Sequence, residues 1–194
     1  MSLHRRDVVK ALLEDRGALL VVAGLGSTAW DCAAAGDHDL TFPMWGAMGC
    51  AAMTGLGLAL AQPQRRVLVV TGDGEMLMGL GSLATIGVQQ PKNLAVVVID
   101  NEHYGETGMQ RTHTAHGVDL AAMARAAGFA SATLLREAAG VPALRRAVHE
   151  AAGPIFAQVK VAAEKVPLVL PPREGALLKN RFRAALLGKG ADLQ

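Results

Sequence analysis

Gly72-Asp73-Gly74-Glu75 and Asp100-Asn101-Glu102-His103 are the two polar clusters of this chain whose residue types and spacing suit chemistry. Each follows a short apolar run rich in β-branched residues, Val67 to Thr71 and Leu94 to Asp100, and such runs, bounded by breakers, read as buried strands of a parallel sheet. One helix's worth of chain separates them. Both clusters therefore fall at the carboxyl edge of adjacent or near-adjacent strands, where open α/β sheets bind ligands. The glycines beside Asp73 let the backbone turn sharply and let a bulky anion approach the main chain. A helix expected from about Met76 to Val88 points its free N–H groups and positive dipole end at the same spot. Asp73 and Asn101 are hard oxygen donors of the kind magnesium takes, the rest of its octahedral shell being left to phosphate oxygens and water. The constellation reads as a seat for a magnesium diphosphate. Plainer roles stand beside it: an ordinary strand-to-helix turn in a glycine-rich chain, with Asp73 as a helix N-cap.

As a pair, the two clusters resemble the fingerprint of thiamine diphosphate enzymes, in which Gly-Asp-Gly is followed some two dozen residues later by an asparagine pair or Asp-Asn. Upstream, Phe42-Pro43-Met44-Trp45-Gly46-Ala47-Met48-Gly49, leading into an Ala/Gly-rich helix, is similar to the corresponding segment of acetolactate synthase and its relatives. A more specific resemblance is to the diphosphate-binding (β) half of the sulfopyruvate and phosphonopyruvate decarboxylases, over roughly Leu20 to Thr114. It implies an α/β fold of three layers, α/β/α, with a mainly parallel sheet of about six strands. It also implies two cofactors, thiamine diphosphate and magnesium. Asp73 and Asn101 would bind the metal by side chain and His103 by its backbone carbonyl, while Gly72, Gly74, Glu75 and Tyr104 lie on the cofactor. Gly24, Ser27 and Thr28 stand near the diphosphate. Met48 becomes a wedge that bends the cofactor, and the Gly46 carbonyl takes the amino group of its pyrimidine. The bend brings that nitrogen against the carbon whose proton must leave, so the catalysis is one of proximity. Without the resemblance, Met48 is a core methionine.

The resemblance also implies a missing part. These enzymes need a glutamate on the pyrimidine ring, carried by a separate pyrimidine-binding domain, and the chain has strands for one such domain only. A partner subunit is expected to supply it, in a dimer or higher assembly. The implied reaction is decarboxylation of a small anionic 2-oxo acid. A carboligase subunit of the acetolactate synthase kind, and a non-catalytic module that keeps the fold to bind or regulate a partner, are the alternatives.

The elements that must position these residues follow from length and pattern. With 194 residues, 51% of them hydrophobic, the chain suits a single domain around an aliphatic core, spanning 1–194. A net charge of +2 argues against a nucleic-acid surface. Cys32 and Cys50 lack metal-ligand spacing and are expected to be buried, reduced thiols. Leu3, Val8, Val9, Leu12 and Leu13 suit an amphipathic helix rather than a leader, and no apolar run approaches the ~20 residues that span a bilayer, so the expected location is the cytoplasm.

Further strands are expected at Ala18 to Ala23, Asp37 to Phe42, Ala132 to Leu135 and Ile155 to Val161. Helices are expected at Ala51 to Ala61, from Asp119 as N-cap through Ala127, at Val141 to Ala152, and at Glu174 to Leu187 after an extended arm. Gly24-Leu25-Gly26-Ser27-Thr28 lacks the last glycine of a dinucleotide fingerprint, because position 29 is Ala. The polar segment Glu102 to Gly117 reads as a loop over the site. Its His113 and His116 are candidate catalytic groups for proton transfer or, with Arg111, for an anionic substrate, or else are solvated loop residues. The basic residues Lys179, Arg181 and Arg183 read as a solvated helix face.

Overall fold

The computed structural model describes residues 2–193. In chain order its helices and strands are α1 (Arg5–Leu13), β1 (Leu20–Ala23), α2 (Ser27–Ala34), β2 (Thr41–Pro43), α3 (Ala51–Ala61), β3 (Val67–Gly72), α4 (Asp73–Met78), α5 (Ser82–Gln89), β4 (Leu94–Asp100), β5 (His103–Tyr104), β6 (Gln110–Arg111), α6 (Leu120–Ala126), β7 (Ser131–Leu135), α7 (Val141–Glu150), β8 (Ile155–Lys160) and α8 (Gly175–Leu187). Six strands form one sheet in the order β2-β1-β3-β4-β8-β7, every pairing parallel. The small hairpin β5-β6 stands apart from it.

The two faces of the sheet are read off alternate residues. Val21, Leu68, Val70, Ala95, Val97 and Ala157 pack with α1, α2 and α7 through Val9, Leu12, Cys32 and Val148. Val22, Val67, Val69, Val96, Val98 and Phe156 pack on the other side with α3, α5, α6 and α8 through Leu56, Ile86, Leu120 and Phe182. Because β3 and β4 are covered on both faces, they are apolar up to their carboxyl ends, where Thr71 and Asp100 stand, and all seven residues of β4 are buried. Helices on both sides complete the three expected layers.

Chain order reverses beside β1, which has β2 on one flank and β3 on the other. At such a switch point the loops leaving adjacent strands diverge to opposite faces and open a crevice at the carboxyl edge. The loop after β1 begins at Gly24 and α4 follows β3 directly at Asp73, so both motif regions border that crevice.

The structure departs from expectation in four places. The helix expected from Met76 to Val88 is two helices: α4 begins at Asp73, and the chain breaks over Gly79-Leu80-Gly81 before α5. At Gly79 a Cβ would lie 2.1 Å from the carbonyl oxygen of Gly49, so the break lets the Gly46–Gly49 loop press on the end of α4. The strand expected over Asp37 to Phe42 is Thr41–Pro43. Asp37 is held outside the sheet by a two-pronged ion pair with Arg181 at 2.6 and 2.9 Å, so Arg181 on α8 is a tether rather than part of a solvated face. Finally, Cys32 is buried but Cys50, at the start of α3, is exposed.

Candidate functional site

A pocket of about 150 Å³ opens at the crevice, lined by Leu25 and Ser27 after β1, Met48, Gly72 to Glu75 after β3, Ile99 and Asn101 at the end of β4, and His103 to Thr107 of the hairpin. Of the residues expected to serve the site, Met48, Gly72, Asp73, Gly74, Glu75, Asn101, His103 and Tyr104 are brought together here. Gly46 is exposed and does not line the pocket. His113 and His116 form a 3₁₀ turn and border a separate hollow with Arg111, Thr112 and Val118. Thr28 is buried and turned back onto the Gly24 carbonyl at 2.9 Å.

Asp73 is only 2% exposed. Its Oδ2 accepts hydrogen bonds from the hydroxyls of Thr112 at 2.5 Å and Thr114 at 3.2 Å, and no side-chain donor among the described residues reaches Oδ1. It does not cap its helix; Gly72 holds the N-cap position, without a side-chain bond. Burial raises the Asp73 carboxyl to about 6, and the nearby Asp100 adds to the rise against the two threonine hydroxyls. A buried, partly satisfied carboxylate beside a second one is the setting in which a divalent cation is most stabilising.

Asp100, at the end of β4, is fully buried and fully spoken for. It shares the single Thr114 hydroxyl proton with Asp73, at 2.7 Å against 3.2 Å, accepts from Gln158 at 2.6 Å, and lies 2.8 Å from Lys160. Lys160 is its partner across the β4-β8 register and also reaches Glu102 at 2.6 Å. Burial would lower the lysine's pKa, but the two carboxylates outweigh it and raise it. Asp100 is thus neutralised within the protein, whereas Asp73 keeps one oxygen without a side-chain donor. Replacing Lys160 by Met strands Asp100 without a counter-charge, and a loss of about 3–5 kcal/mol in urea unfolding is expected. An unchanged unfolding midpoint would contradict this account of the network.

Asn101 is fixed by its own turn. Its Oδ1 accepts from the His103 N–H at 3.0 Å, and its backbone carbonyl pairs with His103 Nδ1 at 2.8 Å. An amide oxygen has two lone pairs, so one remains for a cation. Among the described residues no three His, Cys, Asp or Glu side chains gather to hold a metal by themselves. Two protein oxygens with phosphate and water completing the shell is instead the magnesium pattern. The residues present fit that ion.

The hairpin forms the pocket's outer wall. The Tyr104 ring lies over Gly74, where a Cβ would come within 2.4 Å of it, and Glu106 packs against Gly26. Met48 is half-buried and follows Ala47, which has a φ of 57°. Trp45, just before, donates to the Pro172 carbonyl at 2.8 Å and carries Arg173 over its ring, so the extended arm holds this loop from outside. Sequence reasoning missed Thr112, Thr114, Gln158 and Lys160. The signal for the last two was a polar pair closing an apolar strand opposite Asp100.

The fold is that of thiamine diphosphate enzymes. Benzoylformate decarboxylase from Polynucleobacter necessarius superposes with a TM-score of 0.70 at 20% identity, over 87% of this chain and 35% of that one. The family profile for the thiamine pyrophosphate enzyme C-terminal TPP binding domain matches residues 26–159, and the chain belongs to that family. Among individual proteins, it is 39% identical to sulfopyruvate decarboxylase subunit beta of Methanothermobacter thermautotrophicus, covering 99% of this chain and 100% of that one. It is 49% identical over 109 residues to phosphonopyruvate decarboxylase of Streptomyces viridochromogenes, covering 56% of this chain and 27% of that one. None of the helices described is long and apolar enough to cross a membrane.

Proposed function

We propose that this chain is the diphosphate-binding subunit of a cytoplasmic, thiamine diphosphate- and magnesium-dependent decarboxylase of small anionic 2-oxo acids, sulfopyruvate or phosphonopyruvate. The observation that carries the proposal is the meeting of Asp73 and Asn101 in one pocket at the sheet's switch point. The names of the relatives support the reaction and the subunit role.

In this reading Asp73 and Asn101 hold magnesium by their side-chain oxygens and His103 by its carbonyl. The N–H groups of Gly74 and Glu75 meet the diphosphate. Thr112 and Thr114 orient Asp73, and Lys160 neutralises Asp100, so the ion's attraction falls on a single free carboxylate. Met48 supports the bend of the cofactor and the Gly46 carbonyl holds its amino group. Tyr104 and the rest of the hairpin keep water from the diphosphate. When bound, the cofactor supplies the electron sink for loss of carbon dioxide. His113 and His116, which border a separate hollow beside Arg111, are the groups proposed to hold an anionic substrate or to shuttle protons.

Calorimetric titration tests the reading. Thiamine diphosphate is expected to bind in the presence of magnesium and to lose at least about tenfold in affinity when the ion is chelated. No binding in either condition, with the partner also present, would favour a non-catalytic module. An acceptor panel on the active complex separates decarboxylation from carboligation.

A further inference from the structure

Glu75 is 4% exposed although it sits at the ligand pocket, and nothing in the chemistry above uses its side chain. The carboxyl does not turn toward solvent. Its Oε2 accepts from the Thr71 hydroxyl at 2.7 Å, and the N–H groups of Leu25, Gly49 and Ala51 face it closely enough to counter the effect of burial. No donor among the described residues meets hydrogen-bond geometry at Oε1. Three separate segments therefore converge on one side chain: the loop after β1, the end of the Gly46–Gly49 loop with the start of α3, and the last turn of β3.

Gly24 shows what that convergence demands. A Cβ there would lie 1.9 Å from Glu75 Oε2, 2.9 Å from its Cδ and 3.2 Å from the Thr71 hydroxyl. The backbone at Gly24 has no room to retreat. Its N–H is bonded to the Val70 carbonyl at 2.7 Å and its own carbonyl accepts from Thr28 at 2.9 Å. Any side chain at position 24 must push the carboxyl off Thr71 instead. The glycine-rich loop that looked like a broken dinucleotide motif thus has a different reason for its first glycine.

We propose that Glu75 is a positioning residue that braces the three loops around the diphosphate pocket, and that Gly24 is the space this brace requires. The Glu75 side chain touches neither cofactor, substrate nor reacting atoms. It acts by fixing the main-chain N–H groups and the Met48 loop where a bound anion needs them, so its loss loosens the pocket while the sheet stays intact. The proposal rests on the pocket being the thiamine diphosphate site, and its test is built to fail separately from that reading.

The experiment uses the full chain, with Glu75→Ala, Glu75→Gln, Gly24→Ala and the double variant Gly24→Ala/Glu75→Ala. Two quantities are read: amide hydrogen exchange at Leu25, Gly49 and Ala51 against Val69 and Val97, and the Kd for thiamine diphosphate at saturating magnesium. Glu75→Ala is expected to speed exchange at the three loop amides by about tenfold with the strand amides unchanged, and to raise Kd by about tenfold. Glu75→Gln keeps the length and an acceptor for Thr71 and stays within about threefold of wild type. Gly24→Ala matches Glu75→Ala, and the double variant is no worse than either single one, because both changes remove the same contact.

Unchanged exchange at the three amides in Glu75→Ala overturns the brace, as does a double variant in which the two losses multiply. A fall in thermal stability with Kd unchanged reduces Glu75 to a packing residue and also overturns it. Wild-type chain that binds no thiamine diphosphate even with its partner present sinks the functional reading, while the exchange data still decide the brace.

Discussion

Asp73→Asn abolishes magnesium-dependent binding of thiamine diphosphate, with an expected loss of about a hundredfold or more in affinity and a matching loss of activity in the assembled enzyme. The substitution is nearly isosteric. An amide oxygen still accepts from Thr112 and Thr114, so the shape of the pocket survives and the change isolates charge. Asp73 is the one carboxylate of the network left without a cationic partner, Asp100 being answered by Lys160. Nothing else on the pocket wall replaces it: Glu75 is tied to Thr71, and Glu106 rests against Gly26.

The stability of the ligand-free chain is expected to move the other way. A carboxyl raised to about 6 by burial contributes stability that is complete below the unfolded value near 3.8 and is lost as pH rises through about 6. At pH 7 the ionised Asp73 is therefore a cost to the fold that asparagine does not carry. The variant should unfold at the same or higher urea concentration than the parent while failing to bind the cofactor. A stability penalty in place of a binding defect would make Asp73 a structural residue and remove the basis of the cation site.

That opposition between fold and function bears on what the sequence could reveal. Strands such as Val67 to Thr71 and Leu94 to Asp100 were legible because burial on both faces demands unbroken apolar runs. The paired motifs were legible because glycine, carboxylate and carboxamide at strand ends have few other uses. The break at Gly79-Leu80-Gly81 was not, because Met76, Leu83 and Ile86 continue an apolar pattern that suits one helix as well as two. What divides it is a contact with Gly49, distant in sequence, and no local pattern records such a contact. Thr112 and Thr114 were passed over for the same reason. Thr112 ends an extended stretch and Thr114 lies in the 3₁₀ turn that follows, and it is this change of backbone, invisible in the local pattern, that turns both threonines to Asp73 while His113 and His116 face outward. Arg181 looked solvated until the chain brought Asp37 to it.

Assayed alone, the chain is expected to release carbon dioxide from sulfopyruvate or phosphonopyruvate at no more than background, and a partner carrying a pyrimidine-binding domain is expected to raise the rate by at least the ~10²–10⁴-fold that a positioned acid–base group contributes. A cavity of about 150 Å³ is small against the ~300–1,000 Å³ that encloses a ligand of cofactor size, so the remainder of the molecule must extend beyond this chain's walls. The carboxyls that line the pocket are Asp73, Glu75 and Glu106; the first is the proposed magnesium ligand, and the other two are held by Thr71 and against Gly26. None is left to protonate a ring at the far end of the cofactor. The relatives show the same unit in two settings, as the whole of a subunit beta and as about a quarter of a phosphonopyruvate decarboxylase. Purified chain with full activity and no second polypeptide would require a glutamate from a second copy of itself, and would replace the heteromer with a homomer.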